Sequence, residues 1–454
     1  MEYAEFVAQK SFKSVSAGFE CSVDGYSLFD YQADIVRWSC RRGKAAIFAD
    51  TGLGKTLMQL AWADQVAKHT GMPVLILAPL AVSEQTIEEG RKFGIDVDRY
   101  AFTDVSWPHI YITNYEQLHN VDADQFAGVV LDESSILKGI DSKTRKLAQE
   151  LFRSTPYRLS CTATPSPNDF MELGTQAEFL GVMSQVEMLA MFFIHDGSDT
   201  SKWRLKGHGR KKFFEWLATW AIFITKPSDL GYEDKGHTLP ELVFHEHIID
   251  SGITDGLFAP IASGLLERNK ARKDTVESRV EEAAMIANGI QGQCLIWCHL
   301  NDESEKLKTA IHGGVEVKGS DEPKHKTDSM IGFAKGSVQR LISKPKICGF
   351  GMNFQSCNHM VFVGLSDSWE QFYQAVRRCW RYGQTKPVHV HIVSADVEGG
   401  VLTNIKRKEA QHKQLTREMI AVMKDKTLQE LGKSRQEKAE YKNTLKMEVP
   451  KWAM

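Results

Sequence analysis

The sequence has no CxxC pair among its eight cysteines, which are scattered along 454 residues. Without such a pair neither a zinc-ligand set nor a disulfide framework is supported, and free thiols in a reducing compartment are expected. Long apolar runs are missing as well. The longest, Val74 to Val82 and Leu217 to Ile224, fall far short of the roughly 20 residues that a bilayer-crossing helix needs. The opening MEYAEFVAQKSF carries no charged-then-apolar leader pattern, so a soluble, cytoplasmic protein is expected. Nor is there an excess of charge. The 56 Lys and Arg against 58 Asp and Glu leave a net −2, so a polyanion must be met by a local basic patch and not by the chain as a whole. No repeat of solenoid period and no nuclease or methyltransferase constellation occurs. What is plentiful, 42% hydrophobic and 25% charged residues, suits two or three globular domains with buried cores.

The stretch that organises the chain is Ala49 to Thr56, ADTGLGKT, after the apolar run Ala45, Ala46, Ile47, Phe48. Strand, glycine-rich loop and helix in that order predict a site for a nucleoside triphosphate. Gly52 and Gly54 let the backbone curl so that N–H groups, Thr51 among the loop residues, face phosphate oxygens. Lys55 reaches the β- and γ-phosphates, and Thr56 is placed to ligate Mg²⁺. The helix that follows points its positive end at the anion. Ala49 stands where the usual pattern has glycine. Upstream, LFDYQ places Gln32 at a helix start, where its amide offers the donor and acceptor that an adenine edge requires.

Strands are expected at Val74–Ala78, His109–Thr113 and Gly128–Leu131. Alternating with helices, they imply a parallel sheet. The third delivers Asp132 and Glu133 at its carboxyl end. On the same sheet as a phosphate loop, the pair suits a Mg²⁺-dependent nucleotide hydrolase, with Asp132 joining Thr56 on the metal and Glu133 orienting and deprotonating water. Next, YRLSCTATP predicts a strand ending in Thr162 and Thr164, whose hydroxyls could link the ATP site to a second site.

The ordered set LFDYQ, DTGLGKT, ITNYE, LDES and TATPSPND resembles the motif series of superfamily-two helicases, and among them the SWI/SNF-type DNA translocases. Asn168, Glu172 and Leu173 fall where that family has an asparagine and a Glu-Leu pair. Ser135 stands where relatives carry a coupling histidine. The run SWEQFYQAVRRCWRYGQ, Ser368 to Gln384, resembles the family's final motif in the spacing of Gln374, Arg378, Arg381, Gly383 and Gln384. The resemblance implies that Arg378 and Arg381 are arginine fingers, and Arg377 replaces a residue usually acidic there. It covers roughly Leu28 to His391 and implies an α/β protein of two tandem RecA-like parallel-sheet lobes with ATP and Mg²⁺ between them. The first lobe would contribute Gln32, Lys55, Thr56, Asp132 and Glu133, and the second Gly351, Arg378 and Arg381. The compactness of the chain resembles forms carried by bacteria and their phages, so a prokaryotic or phage-infected cell is the expected setting.

In the stretch from Gln176 to Pro240, KWRLKGHGRKKFF holds six cations in eleven residues, Lys202, Arg204, Lys206, Arg210, Lys211 and Lys212, interleaved with Trp203 and Phe213. In a chain that is otherwise slightly acidic, this predicts a phosphate-contacting surface. His245, Glu246 and His247 have the look of a metal set, yet alternation in VFHEHII predicts a strand. The organisation expected is a first lobe over 1–240 with a helical insertion near 176–240, a second lobe over 241–404, and a charged helical tail over 405–454. The expected function is ATP-driven movement on duplex DNA. Two alternatives stay open: a strand-separating helicase on DNA or RNA, and a nucleotide-gated DNA clamp or assembly factor with little turnover.

Overall fold

The protein is described by a computed structural model covering residues 17–103, 105, 109–138, 143–166, 169–196, 199–234, 237–251, 273–348, 353–366, 368–396 and 399–432. Helix α1 (Asp30–Arg42) leads into β1 (Lys44–Ala49), and α2 (Lys55–Thr70) leads into β2 (Val74–Ala78). After α3 (Leu80–Lys92) come β3 (Val97–Arg99), β4 (Ile110–Asn114), β5 (Gly128–Asp132) and β6 (Tyr157–Thr162). With β9 (Ala221–Ile224) these strands form a seven-stranded sheet in the order β3-β4-β2-β5-β6-β1-β9, every pairing parallel. A parallel sheet is covered on both faces, so its strands are continuously apolar. In β1, Ala45, Ile47 and Ala49 enter one core with α1 and α2, while Ala46 and Phe48 enter the core on the opposite face.

The stretch expected to be a helical insertion adds strands to its helices. An antiparallel hairpin, β7 (Phe193–Asp196) and β8 (Asp199–Leu205), precedes α4 (Arg210–Leu217), and β9 then joins the main sheet. Phe213, Phe214 and Trp216 of α4 are fully buried; this apolar stripe fixes the helix and turns its cations outward.

A second sheet, also parallel throughout, follows the order β10-β15-β14-β11-β13-β12. Its strands are β10 (Leu242–Ile249), β11 (Cys294–Trp297), β12 (Gly314–Val317), β13 (Arg340–Ser343), β14 (His359–Val363) and β15 (Val388–Ala395). His245 and His247 alternate along β10 as a strand requires and meet His389 and His391 of β15, with imidazole nitrogens 3.0 and 3.2 Å apart. Among the described residues no group of three potential ligands could hold a metal ion. Helix α5 (Trp369–Val376) lies between β14 and β15 in sequence.

The last described element is α6 (Gly399–Glu430). Ile405 is buried in the second lobe's core, whereas Met419 and Met423 are buried in the first lobe's. Glu418 pairs with Arg210, and Glu430 pairs with Arg42. The charged tail is therefore a strap across both lobes, anchored by the few apolar residues in its sequence. Among the described residues no helix is long and apolar enough to cross a membrane.

Candidate functional site: a cleft between two lobes

The carboxyl ends of β1, β2 and β5 face the second lobe, the place where open parallel sheets put their ligand crevices. A cleft of about 460 Å³ opens there, lined by Gln32, the loop from Thr51 to Thr56, Asp132 and Glu133 from the first lobe and by Arg378 and Arg381 from the second. Residues far apart in sequence thus converge. Gly351 lies outside the described residues, as does Asn168.

The loop's shape comes from its glycines. Gly52 and Gly54 sit at φ +93° and +76°, the left-handed region, and Gly54 is the residue before α2. A Cβ at Gly54 would run into Nε2 of Gln32, and one at Gly52 would come within 3.1 Å of the Tyr382 backbone nitrogen. Glycine is required at these points both for the turn and for close approach. The Lys55 ammonium donates to the carbonyl of Ala49 at 2.7 Å, and Gln32 is held by Phe29 N–H on its amide oxygen and by the Leu53 carbonyl on its amide nitrogen, at 2.9 and 3.0 Å. The amide nitrogen of Gln32 also donates to the Tyr31 hydroxyl at 3.3 Å, so both its N–H groups are engaged and only the amide oxygen keeps a further, accepting position for a base edge.

Burial dominates the acids and bases of the cleft. It pushes the Asp132 carboxyl up to about 7, with the neighbouring Glu133 carboxylate adding to the rise. It lowers Lys55 and Arg378, and it pulls Arg381 down to about 9, with Arg378 adding to that fall. Burying like charges together disfavours the charged forms, and a ligand of the opposite sign reverses this. The Arg381 Nε, Thr51 hydroxyl and Asn353 amide oxygen are buried without a hydrogen-bond partner among the described residues; all three residues line the cleft. The Arg381 Nε–H and the Thr51 hydroxyl are donors that fit a polyphosphate, whereas the Asn353 amide oxygen can only accept. Two close carboxyl groups beside the Thr56 hydroxyl fit a hard divalent cation, which takes oxygen ligands.

Glu133 has a left-handed φ of +53°, a strained conformation for a residue with a side chain. It is the second residue of the acid pair, and the strain turns it off the strand axis toward Thr162, whose hydroxyl donates to its carboxylate at 3.2 Å. Thr164 donates from its backbone N–H to the Thr162 hydroxyl at 3.2 Å and from its own hydroxyl to Glu370 at 3.2 Å. Gln374 donates to that Thr164 hydroxyl at 3.4 Å, and Arg378 donates to the Gln374 amide oxygen at 3.1 Å. The two threonines thus connect the acid of one lobe to the arginine of the other through α5.

Several cleft residues were given no role from the sequence, although Phe29 and Tyr382 lie within the LFDYQ and SWEQFYQAVRRCWRYGQ runs. Phe29, His237, Asn353, Gln355 and Tyr382 all line the cleft, and only their convergence in space marks them. The basic run is more dispersed than its sequence implied. The Lys206 ammonium donates to the carbonyls of Ala190 and Met191, both at 2.9 Å, and Arg210 is paired with Glu418. Arg204, Lys211 and Lys212 are exposed, and the side chain of Lys202 lies outside the described residues.

Two family models match the chain, SNF2-related domain over residues 31–192 and Helicase conserved C-terminal domain over 278–383. Protein p41 of Acyrthosiphon pisum secondary endosymbiont phage 1 is 24% identical over 437 residues, covering 80% of this chain and 92% of that protein. The SWI/SNF-related matrix-associated actin-dependent regulator of chromatin subfamily A-like protein 1 of Xenopus tropicalis is 27% identical over 163 residues, covering 34% of this chain and 17% of that one. Among solved structures, the DNA-bound type ISP restriction-modification enzyme LlaBIII shares the fold, with a TM-score of 0.53 at 13% identity over 84% of this chain and 30% of that one. The Sulfolobus solfataricus SWI2/SNF2 ATPase core in complex with dsDNA aligns at a TM-score of 0.42 and 19% identity, over 83% and 90% of the two chains. The two family models lie one on each lobe and together span more than half of the sequence; the chain belongs to the superfamily-two helicases of SWI/SNF type and is an ATP-hydrolysing nucleic-acid motor.

Proposed function

We propose that the chain hydrolyses Mg²⁺-bound ATP in the cleft between its lobes and uses the cycle of closing and opening to translocate along duplex DNA without full strand separation. The observation that carries this reading is the convergence of Lys55, Asp132, Glu133, Arg378 and Arg381 on one cleft built by both lobes. Phosphoryl transfer asks a protein mainly for positioning and for charge stabilisation. The loop N–H groups and Lys55 would bind and orient the triphosphate. Thr56 and Asp132 would hold Mg²⁺, which supplies Lewis-acid stabilisation of charge on the phosphate oxygens. Glu133, fixed by Thr162, would orient the attacking water and accept its proton. Arg378 and Arg381 would stabilise the negative charge that gathers as the bond to the leaving group breaks. Because they come from the other lobe, this help would depend on closure, and the Glu133-to-Arg378 chain of hydrogen bonds would tie the chemistry to lobe position.

The SNF2-related match supports duplex DNA as the track, and the exposed Arg204, Lys211 and Lys212 are candidate contacts to its backbone. The test is phosphate release with no nucleic acid, duplex DNA, single-stranded DNA and RNA, together with displacement of a triplex-forming strand. Stimulation by duplex and triplex displacement support the reading; stimulation by single strands alone, with unwinding, supports a strand-separating helicase instead.

One observation favours a second reading. The lobes are joined by the buried Arg377–Asp50 ion pair and by the strap α6, and lobes tied this firmly suit a nucleotide-gated clamp of low turnover. DNA binding that requires ATP, with little phosphate release, would favour it.

A further inference from the structure

We propose that Tyr382 of the second lobe senses the nucleobase and transmits its presence to Arg381, so that a purine on the triphosphate sets the rate of hydrolysis as well as the affinity. This rests on the reading that the cleft takes ATP and adds to it a base-sensing residue.

Four observations meet at Tyr382. Tyr382 lines the cleft and is 41% exposed, and Phe29 of the first lobe, which lines the same cleft, is 50% exposed. Large aromatic faces left open beside a donor-lined pocket are what a flat heterocycle stacks on. His237 stands between them: its ring centre is 5.1 Å from that of Tyr382 and 5.5 Å from that of Phe29. His237 also lies 3.2 Å from the Tyr31 hydroxyl, which donates to the Leu53 carbonyl of the phosphate loop at 3.0 Å. The aromatic seat is therefore tied directly to the loop. Next, the backbone of Tyr382 packs on Gly52, where even a Cβ would come within 3.1 Å of the Tyr382 nitrogen. Last, Tyr382 is flanked by Arg381, whose Nε is buried without a hydrogen-bond partner among the described residues, and by Gly383 at φ +89°.

The consequence is mechanical. A purine lying against Tyr382 presses this segment onto Gly52, and the peptide bond carries the constraint to Arg381 one residue away. The flexible glycine on the other side lets the segment settle without moving the rest of the lobe. Without a base, the guanidinium loses that anchor while the phosphates are still bound by Lys55 and the loop. Gln32, which also lines the cleft, then discriminates among purines by its amide oxygen, which accepts from a donor on the base edge, and Tyr382 reports that a base is present.

The experiment compares kcat and KM for ATP and for tripolyphosphate, which has the phosphates and no base, in wild type, Tyr382→Ala and Tyr382→Phe at saturating DNA. Stacking of one base on an aromatic ring corresponds to roughly tenfold or more in an equilibrium. In wild type kcat for ATP is expected to exceed that for tripolyphosphate by about that factor. Tyr382→Ala is expected to bring the kcat ratio close to one, and Tyr382→Phe to keep it. A Tyr382→Ala protein with the wild-type kcat ratio, or one altered in KM alone, overturns the coupling. Loss of the ratio in Tyr382→Phe overturns stacking as its cause. Failure of the cleft reading shows differently, as a wild-type protein that neither binds nor turns over ATP, and it overturns both.

Discussion

The Arg377 guanidinium of the second lobe is paired with the Asp50 carboxylate at the start of the first lobe's phosphate loop. The Tyr373 hydroxyl donates to the same carboxylate, and the guanidinium lies over the Trp380 ring with its carbon 4.9 Å from the ring centre. The side chains of Arg377 and Asp50 are only 5% and 18% exposed. Breaking a buried pair by removing one partner strands the other charge at a cost of about 3–5 kcal/mol. Arg377→Ala is therefore expected to lower the melting temperature markedly, and Asp50→Asn to do the same. In a double-mutant cycle the combined variant should lose much less than the sum, and additive losses would show that the pair does not join the lobes.

The proposed roles of Lys55 and Glu133 belong to different steps, so the two residues should separate in kinetics. Lys55→Ala is expected to weaken nucleotide binding, because the ammonium contributes charge to the bound phosphates. Glu133→Gln should bind ATP nearly as wild type and turn over very slowly, because an amide cannot accept the proton of the attacking water. Equilibrium binding of a fluorescent nucleotide followed by single-turnover hydrolysis distinguishes the two; normal turnover in Glu133→Gln removes it from the mechanism.

What could be read directly from the sequence was contiguous. The phosphate loop and the Asp132–Glu133 pair are short segments whose chemistry needs neighbours in the chain, and the strands around them announce themselves by apolar runs. Pairings across hundreds of residues had no such signal. Arg377 was visible as a departure from a motif, but its partner Asp50 lies 327 residues away. The basic run misled in a similar way: Lys206 and Arg210 look identical to their neighbours in sequence, and only folding reveals that one caps backbone carbonyls and the other meets Glu418. His237 gave no cue at all, and Tyr382 lay inside the SWEQFYQAVRRCWRYGQ run without any role of its own, since a lone aromatic is ordinarily core or surface until a cleft forms beside it.

The raised carboxyl at Asp132 has two pH consequences. An aspartate in the unfolded chain ionises near ~3.9, whereas Asp132 in the fold does so at about 7. Between these values the unfolded chain has lost a proton that the folded chain keeps, so this residue's contribution to stability is present below about 4 and is lost as pH rises toward 7. Binding of Mg²⁺-ATP draws on the carboxylate form and should therefore release a proton near pH 6.5. Calorimetric titration in buffers of different ionisation enthalpy measures that release. It should shrink in Asp132→Asn, and an unchanged release in the variant assigns the proton elsewhere.

Contacts between the exposed cations and DNA, as proposed, would be revealed by salt. Arg204, Lys211 and Lys212 project from β8 and α4 into solvent, so replacing them with Glu should weaken DNA binding while basal ATP hydrolysis persists. Each lost phosphate contact should reduce the log–log salt slope by about 0.9 on duplex DNA. A slope equal to that of wild type would show that this surface does not touch the backbone.

Arg381 gives the sharpest test of two-lobe catalysis. It lies three residues from Arg378 and lines the same cleft, and burial beside Arg378 pulls its guanidinium down to about 9. A cation held at such a cost in a dry cleft is positioned for negative charge, and its Nε has no other partner among the described residues. Stabilisation that arrives only when the lobes close acts on the transition state more than on bound ATP, and so it should appear in kcat and hardly in affinity. Arginine fingers accelerate other nucleotide hydrolases by roughly a thousandfold or more. Arg381→Ala is accordingly expected to bind ATP and DNA within a few-fold of wild type and to lose most DNA-stimulated hydrolysis. Arg378→Ala should be at least partly destabilised as well, because that side chain donates to Gln374 within the second lobe. The measurement is turnover at saturating ATP and DNA, after circular dichroism and a thermal melt establish that the Arg381→Ala protein is folded. Wild-type turnover by the folded variant would mean that hydrolysis proceeds without the second lobe, and the cleft would then be a binding site whose chemistry belongs to the first lobe alone.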